Sequence, residues 1–222
     1  MPYGIEVAYS TAADGDQREP GLRTAFAHSL WAADSEPPRR LVVPRQVHGI
    51  EVITVGSEAV PPPLLAQADG AVSGEPGVAV GAYGADCPGV VLATPDAVGI
   101  AHCGWRGTAG GMVDRLVTAL ADCSATPRSA WRALIGPGIS GAQYEVDAPV
   151  LTARVWPPAA LTPAAQPGRA HLDLAVALEA DLQAAGITAV IRTGVCTATD
   201  PRLHSFRRRG PGLVQMLVAW RR

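Results

Sequence analysis

Three short segments concentrate the residue types that could do chemistry: Arg45-Gln46-Val47-His48-Gly49, Ala85-Asp86-Cys87-Pro88 and Ala101-His102-Cys103-Gly104-Trp105-Arg106-Gly107. Each sets a potential metal ligand at the end of a strand-like run, beside Gly or Pro. His48, Cys87 and His102 together offer two imidazoles and one thiolate. Zinc accepts that set, and three protein ligands with a fourth position left to water define an open, catalytic site. Copper can occupy a two-His, one-Cys site in vitro as well, because it outcompetes zinc for such donors. Cys87 precedes Pro88, which favours an extended backbone that projects the sulfur off the strand end. The ligands are far apart in the sequence, and no paired Cys-x-x-Cys signals zinc. Spacing alone therefore leaves a second reading open, in which Cys87 and His102 are satisfied core residues.

The residues after His102 suggest an anion site. Arg106-Gly107-Thr108-Ala109-Gly110-Gly111 runs into a helix expected from Met112, with Thr108 as a possible cap and Arg106 as a neighbouring cation. On this reading Arg106, Gly107 and Thr108 bind phosphate; the alternative is a glycine turn needed only for close packing. Asp86 is a candidate general acid/base by its position beside Cys87. Near the C-terminus, Cys196-Thr197 and His204-Ser205-Phe206-Arg207-Arg208-Arg209 follow a strand-like run. Such an aromatic–arginine cluster can wall a nucleotide pocket, stacking a base and pairing an anion. Arg45, Ser205 and Arg208 join the candidate substrate-binding residues, whereas Arg221-Arg222 reads as a solvated edge. His28, in the first helix, and His171, at a helix start, read as surface or capping residues. Five histidines are too few for a multicopper centre.

These residues need a framework of short strands. Ile5–Tyr9, Leu41–Val43, Ile50–Val55, Val78–Tyr83, Val90–Ala93, Val98–Ala101, Ala133–Ile135, Ala189–Ile191 and Leu213–Ala219 read as strands. Helical spacing covers Leu22–Ala33, Met112–Asp122, Val150–Trp156 and Leu172–Ala185, with Pro37-Pro38 as a breaker and Pro61-Pro62-Pro63 as a stiff connector. No internal repeat and no regular βαβ period occur. The expectation is a mixed α/β (α+β) fold, a single layered domain over 1–222 with a mixed sheet and flanking helices.

Composition narrows the function classes. The chain has 222 residues, 48% of them hydrophobic and 17% charged, which excludes a disordered protein. A formal net charge of −2 argues against holding nucleic acid by bulk electrostatics. No run reaches the roughly 20 apolar residues of a membrane span. Met1–Glu6 lacks the basic and apolar regions of a signal peptide, so a cytoplasmic protein with free thiols at Cys87, Cys103, Cys123 and Cys196 is expected.

At these segments the sequence resembles the YfiH, or laccase-domain, family, also described as multicopper polyphenol oxidase-like proteins. The likeness runs in matching order through Gln46–Gly49, Asp69-Gly70, Ala85–Cys87, His102–Gly107, Ile135-Gly136-Pro137, Tyr144-Glu145-Val146, Cys196-Thr197 and Ser205–Arg208. The resemblance implies zinc held by His48, Cys87 and His102. It further implies phosphorolysis of adenosine, inosine, guanosine and methylthioadenosine, and deamination of adenosine. The partners are then purine nucleosides and phosphate, in a monomer or homodimer. Copper-dependent polyphenol oxidation, metal-free Cys–His hydrolysis and a non-catalytic role as a peptidoglycan editing or cell-wall partner are the alternatives. Two segments, Ser10–Gly15 and Gly210-Pro211-Gly212, depart from the family pattern and are expected to border the substrate pocket.

Overall fold

The apolar runs of the middle third are too hydrophobic on both faces to meet water on either, and they become the centre of a layered structure. The computed structural model describes residues 3–33, 38–56 and 67–222. In chain order these form β1 (Ile5–Tyr9), α1 (Pro20–Ala33), β2 (Arg40–Val42), β3 (Val52–Thr54), β4 (Gly70–Ser73), β5 (Val78–Gly84), β6 (Gly89–Ala93) and β7 (Val98–His102). There follow α2 (Trp105–Ala109), α3 (Met112–Ala121), β8 (Arg132–Ile135), β9 (Glu145–Val146), α4 (Ala148–Leu151), β10 (Leu161–Pro163), β11 (Ala170–Leu172), α5 (Leu174–Ala184), β12 (Val190–Arg192), α6 (Phe206–Arg209) and β13 (Gln215–Arg221).

The mixed α/β class is as expected, with parallel pairs β2–β5, β3–β4 and β8–β12 among antiparallel ones. The strands divide into several sheets: a four-stranded mixed sheet β1-β13-β5-β2, a six-stranded mixed sheet β12-β8-β6-β7-β4-β3 and a small sheet β10-β11-β9. Alternation explains the layering. Val91 and Ala93 of β6 face a core shared with Val78, Val80, Leu217 and Ala219 of the four-stranded sheet. Val90 and Leu92 face the opposite way, onto Leu116 and Leu120 of α3 and Leu178 and Leu182 of α5. On the far side of the four-stranded sheet, Phe26 of α1 packs on Met216, Val218 and Trp220.

Several expectations are corrected. The buried β4 and the small sheet β9–β11 are short, and nothing in their local pattern separates them from loops. The helix expected over Val150–Trp156 is α4, which starts at Ala148 behind Asp147 and stops at Leu151. Trp156 lies outside it, buried, with its indole N–H donating to the Val150 carbonyl. α5 begins at Leu174 because the Asp173 carboxylate accepts the Val176 N–H at 3.0 Å and caps it. His171 is consequently a β11 residue, not a helix-start residue, and its Nδ1 lies 3.1 Å from the Gly141 carbonyl. Pro37 and Pro61-Pro62-Pro63 fall outside the described residues.

Candidate metal centre

Parallel pairing of β2 with β5 and the β6–β7 hairpin bring the ends of β2, β5 and β7 together, and with them the three sequence segments. The organising group is Asp69, a buried residue just before β4. Its Oδ2 accepts the N–H groups of Val47 at 3.0 Å and Gly49 at 2.7 Å, and its Oδ1 accepts that of His48 at 2.9 Å. Three consecutive amides on one carboxylate hold the turn in which His48 takes a left-handed φ of +61°. Asp69 Oδ1 also lies 2.9 Å from His102 Nδ1. A carboxylate can only accept, so Nδ1 carries a proton, and in the neutral imidazole Nε2 is the nitrogen left with a lone pair.

His48, Cys87 and His102 then place their donor atoms within 4.8 Å of one another. The two imidazole rings meet edge to face, with centroids 4.8 Å apart and planes at 85°. Gly104, directly after this strand end, makes room for the sulfur: a Cβ there would lie 2.8 Å from Cys87 Sγ. Burial pushes the Cys87 thiol up, but hydrogen bonds from His102 and His48 and their charge outweigh it, bringing its pKa down to about 6. Burial pushes His102 down, yet Asp69 and the Cys87 thiolate raise it to about 9. A stabilised thiolate, an imidazole oriented by a buried carboxylate and a second imidazole fit a metal ion, because ligating histidines are held in this way by a carboxylate on the far ring nitrogen. Cys103 is the contrast: fully buried beside this group, its thiol is pushed up and stays protonated.

The donors line a cavity of about 490 Å³ together with Arg45, Tyr83, Phe206 and the segment 210–214. Gly210-Pro211-Gly212 thus borders the cavity, as expected. Ser10–Gly15 does not: Ser10 and Ala12 bond to the backbone of Met216 and Arg202 instead.

The structure separates the other candidates from this cavity. Asp86, buried with φ +89°, has both carboxylate oxygens bonded: Oδ1 accepts from Thr197 Oγ1 and Oδ2 from the Arg207 N–H, each at 2.6 Å. Arg106 is exposed, with its guanidinium stacked 4.3 Å over the Trp105 ring. The expected phosphate turn is instead α2, so Arg106, Gly107 and Thr108 are helical, and the cap of α3 is Gly111 rather than Thr108. Thr108 Oγ1 donates back to the Gly104 carbonyl at 3.0 Å. Gly107 serves close packing: a Cβ there would stand 3.2 Å from the Gly49 carbonyl. Ser205 caps α6 by accepting the Arg208 N–H, and the Arg208 guanidinium donates to the carbonyls of Thr197, Ala198, Asp200 and Leu203. Of the candidate substrate-binding residues, Arg45 alone lines the cavity. Asp69 is the residue whose part sequence reasoning missed; an acid followed by Gly before a short apolar run was its only local signal.

Residues 19–221 match the family model described as multi-copper polyphenol oxidoreductase laccase. The chain belongs to that family. It is 37% identical over 167 residues to a protein of Deinococcus radiodurans named purine nucleoside phosphorylase, covering 73% of this chain and 62% of that one. A purine nucleoside phosphorylase of Xylella fastidiosa is 35% identical over 174 residues, covering 74% and 65%. The chain thus spans 62% and 65% of the length of these two relatives. The crystal structure of YlmD from Geobacillus stearothermophilus superposes with a TM-score of 0.86 at 27% identity, over 100% of this chain and 94% of that one. Bacillus licheniformis YfiH shares the fold, with a TM-score of 0.85 at 22% identity over 98% and 93%. Among the described residues one group of His, Cys, Asp or Glu has metal-binding geometry, and it is a three-donor group, not a multicopper cluster. No helix among them is long and apolar enough to cross a membrane.

Proposed function

We propose that this chain is a zinc-dependent purine nucleoside phosphorylase of the cytoplasm. The observation that carries the reading is a three-donor group on the wall of a cavity that also presents a cation, Arg45, and an aromatic ring, Phe206. The relatives are named purine nucleoside phosphorylases, which supports purine nucleosides and phosphate as the substrate class; within it we propose adenosine, inosine, guanosine and methylthioadenosine as the nucleosides.

His48, Cys87 and His102 would hold the zinc, which when bound supplies a Lewis-acidic positive charge beside the reacting centre. Asp69 keeps His102 in the tautomer that ligates and fixes the turn carrying His48. Arg45 would orient phosphate so that one oxygen bonds to ribose C1′ as the C1′–N bond to the base breaks. The proton that phosphate loses goes to the departing base, which closes the balance as free purine and ribose 1-phosphate. Holding both reactants in one cavity is the main source of acceleration. Asp86 takes no part in proton transfer on this reading, because both of its oxygens already accept hydrogen bonds. Deamination of adenosine is a second activity of the same cavity.

Chromatography of inosine incubated with and without phosphate tests the reading. Hypoxanthine and ribose 1-phosphate that form only with phosphate support it, and free ribose overturns it in favour of a hydrolase. Inosine and ammonia from adenosine report deamination. The Asp69–His102–Cys87 alignment also favours one second reading, a metal-free cysteine nucleophile activated by an oriented histidine. Turnover that survives complete removal of metal by a chelator would select it.

A further inference from the structure

A ring exposed to water yet placed beside a catalytic group needs an explanation. Phe206 is 58% exposed and Leu213 is 50% exposed, and both line the same cavity as His48, Cys87 and His102. Their positions are rigidly set. Phe206 opens α6, whose first turn is pinned by the Ser205 cap and by the Arg207 N–H on Asp86. Leu213 lies between Gly212, whose carbonyl accepts from Arg18, and Val214, whose N–H donates to Asp16 and whose carbonyl accepts the Gln17 N–H. An apolar pair fixed in this way gains nothing in the free protein and is ready to cover an apolar ligand face.

The polar lining is equally selective. No Asp or Glu lines the cavity among the described residues. Gln46, the one side-chain amide there, is already occupied at both ends by the backbone of Tyr83: its Oε1 accepts the N–H at 2.7 Å and its Nε2 donates to the carbonyl at 3.0 Å. No free side-chain amide or carboxylate is left to read the edge of a base, so its affinity must come from its flat face. Arg18 is paired with Asp16. Among the described residues nothing pairs with the Arg45 guanidinium, which leaves it for an anion.

We propose that Phe206 and Leu213 form the platform on which the purine ring stacks, with the anionic co-substrate held at Arg45 in the same cavity. The inference rests on the phosphorylase reading for its co-substrate, but the platform itself is tested by binding alone. Titration calorimetry of the zinc-loaded protein with adenine, which cannot turn over, is the first measurement. Phe206→Ala should weaken adenine by roughly 5- to 150-fold, the range for removing one aromatic face from a stacked base. Phe206→Trp should restore it. In steady-state turnover of inosine, Phe206→Ala should raise KM for the nucleoside and leave KM for phosphate unchanged. Arg45→Ala should do the reverse, raising KM for phosphate about 10- to 150-fold, the scale of a lost hydrogen bond to a charged group. Because both side chains are exposed, neither replacement removes core packing. Adenine affinity equal in wild type and Phe206→Ala would overturn the platform even if inosine is phosphorolysed. A wild type that binds adenine through Phe206 without phosphorolysing any nucleoside would keep the platform and overturn the phosphorylase reading.

Discussion

Asp69 and Asp86 are both buried carboxylates at the edge of the same site, and each sits against a backbone in the left-handed region. Their partners separate them. Asp69 accepts the N–H groups of three amides of one turn and of the His102 ring, so it sets the direction of two candidate donors at once. Burial raises its pKa, but the His102 hydrogen bond and the amides of Val47 and Gly49 win and lower it. Asp86 follows Ala85 and precedes the candidate donor Cys87, yet it accepts from Thr197 and from the first turn of α6. One carboxylate tunes the donor group; the other staples the loop after β5 to the C-terminal wall of the cavity. Adjacency in sequence to a ligand is thus a poor guide to chemistry, because hydrogen bonds reach across the fold and not along the chain.

Four measurements can break or sharpen that contrast. The largest effect belongs to the ligands: His102→Ala should reduce metal content, read by elemental analysis, from one ion per chain to none, and turnover to background. Next is pH. In the metal-free protein the Cys87 thiol ionises at about 6 and His102 at about 9, so between these values the imidazole holds one proton that the metal must displace. Metal affinity should rise about tenfold per pH unit across that window, level off above it, and fall more steeply below it as the thiol also protonates. A pH-independent affinity would show that the two groups are not coupled as described. Third, Asp69→Asn should weaken metal binding by about 10- to 100-fold, the usual loss when a histidine's supporting carboxylate is removed, and flatten the pH dependence, since the charge that holds the His102 proton is gone. Smallest at the metal is Asp86→Asn. It should leave metal affinity within about twofold while lowering stability by about 1–3 kcal/mol, the range for leaving a buried hydrogen-bonding partner unsatisfied. Thermal unfolding reads that loss. A metal-affinity defect as large as that of Asp69→Asn would erase the distinction between the two aspartates.

How much of this was legible before folding follows the range of the interactions. The three donors were readable from residue type and from their placement at strand ends, and the strands themselves from unbroken apolar runs such as 78–83, 90–93 and 98–101. β4 was not, because the four residues from Gly70 to Ser73 carry no period, and only pairing with β3 and β7 makes them a strand. The segment read as a phosphate turn is helical in the structure, and the reason for the difference is local. Three glycines and a threonine read as a turn, but Gly107 is needed for the approach of α2 to the Gly49 carbonyl, a contact with a residue far back in the chain. Arg208 and Ser205 looked available because a sequence shows charge and polarity but not the carbonyls and caps that occupy them. The sequence by itself determined which atoms can ligate and roughly which segments are extended, since side-chain chemistry and hydrophobic period are local properties. Only the tertiary structure decided that Asp69 orients His102, that Asp86 is a staple, and that Arg45 and Phe206 share a cavity with the donors. Those facts depend on hydrogen bonds and packing between segments tens of residues apart, and no local pattern encodes them.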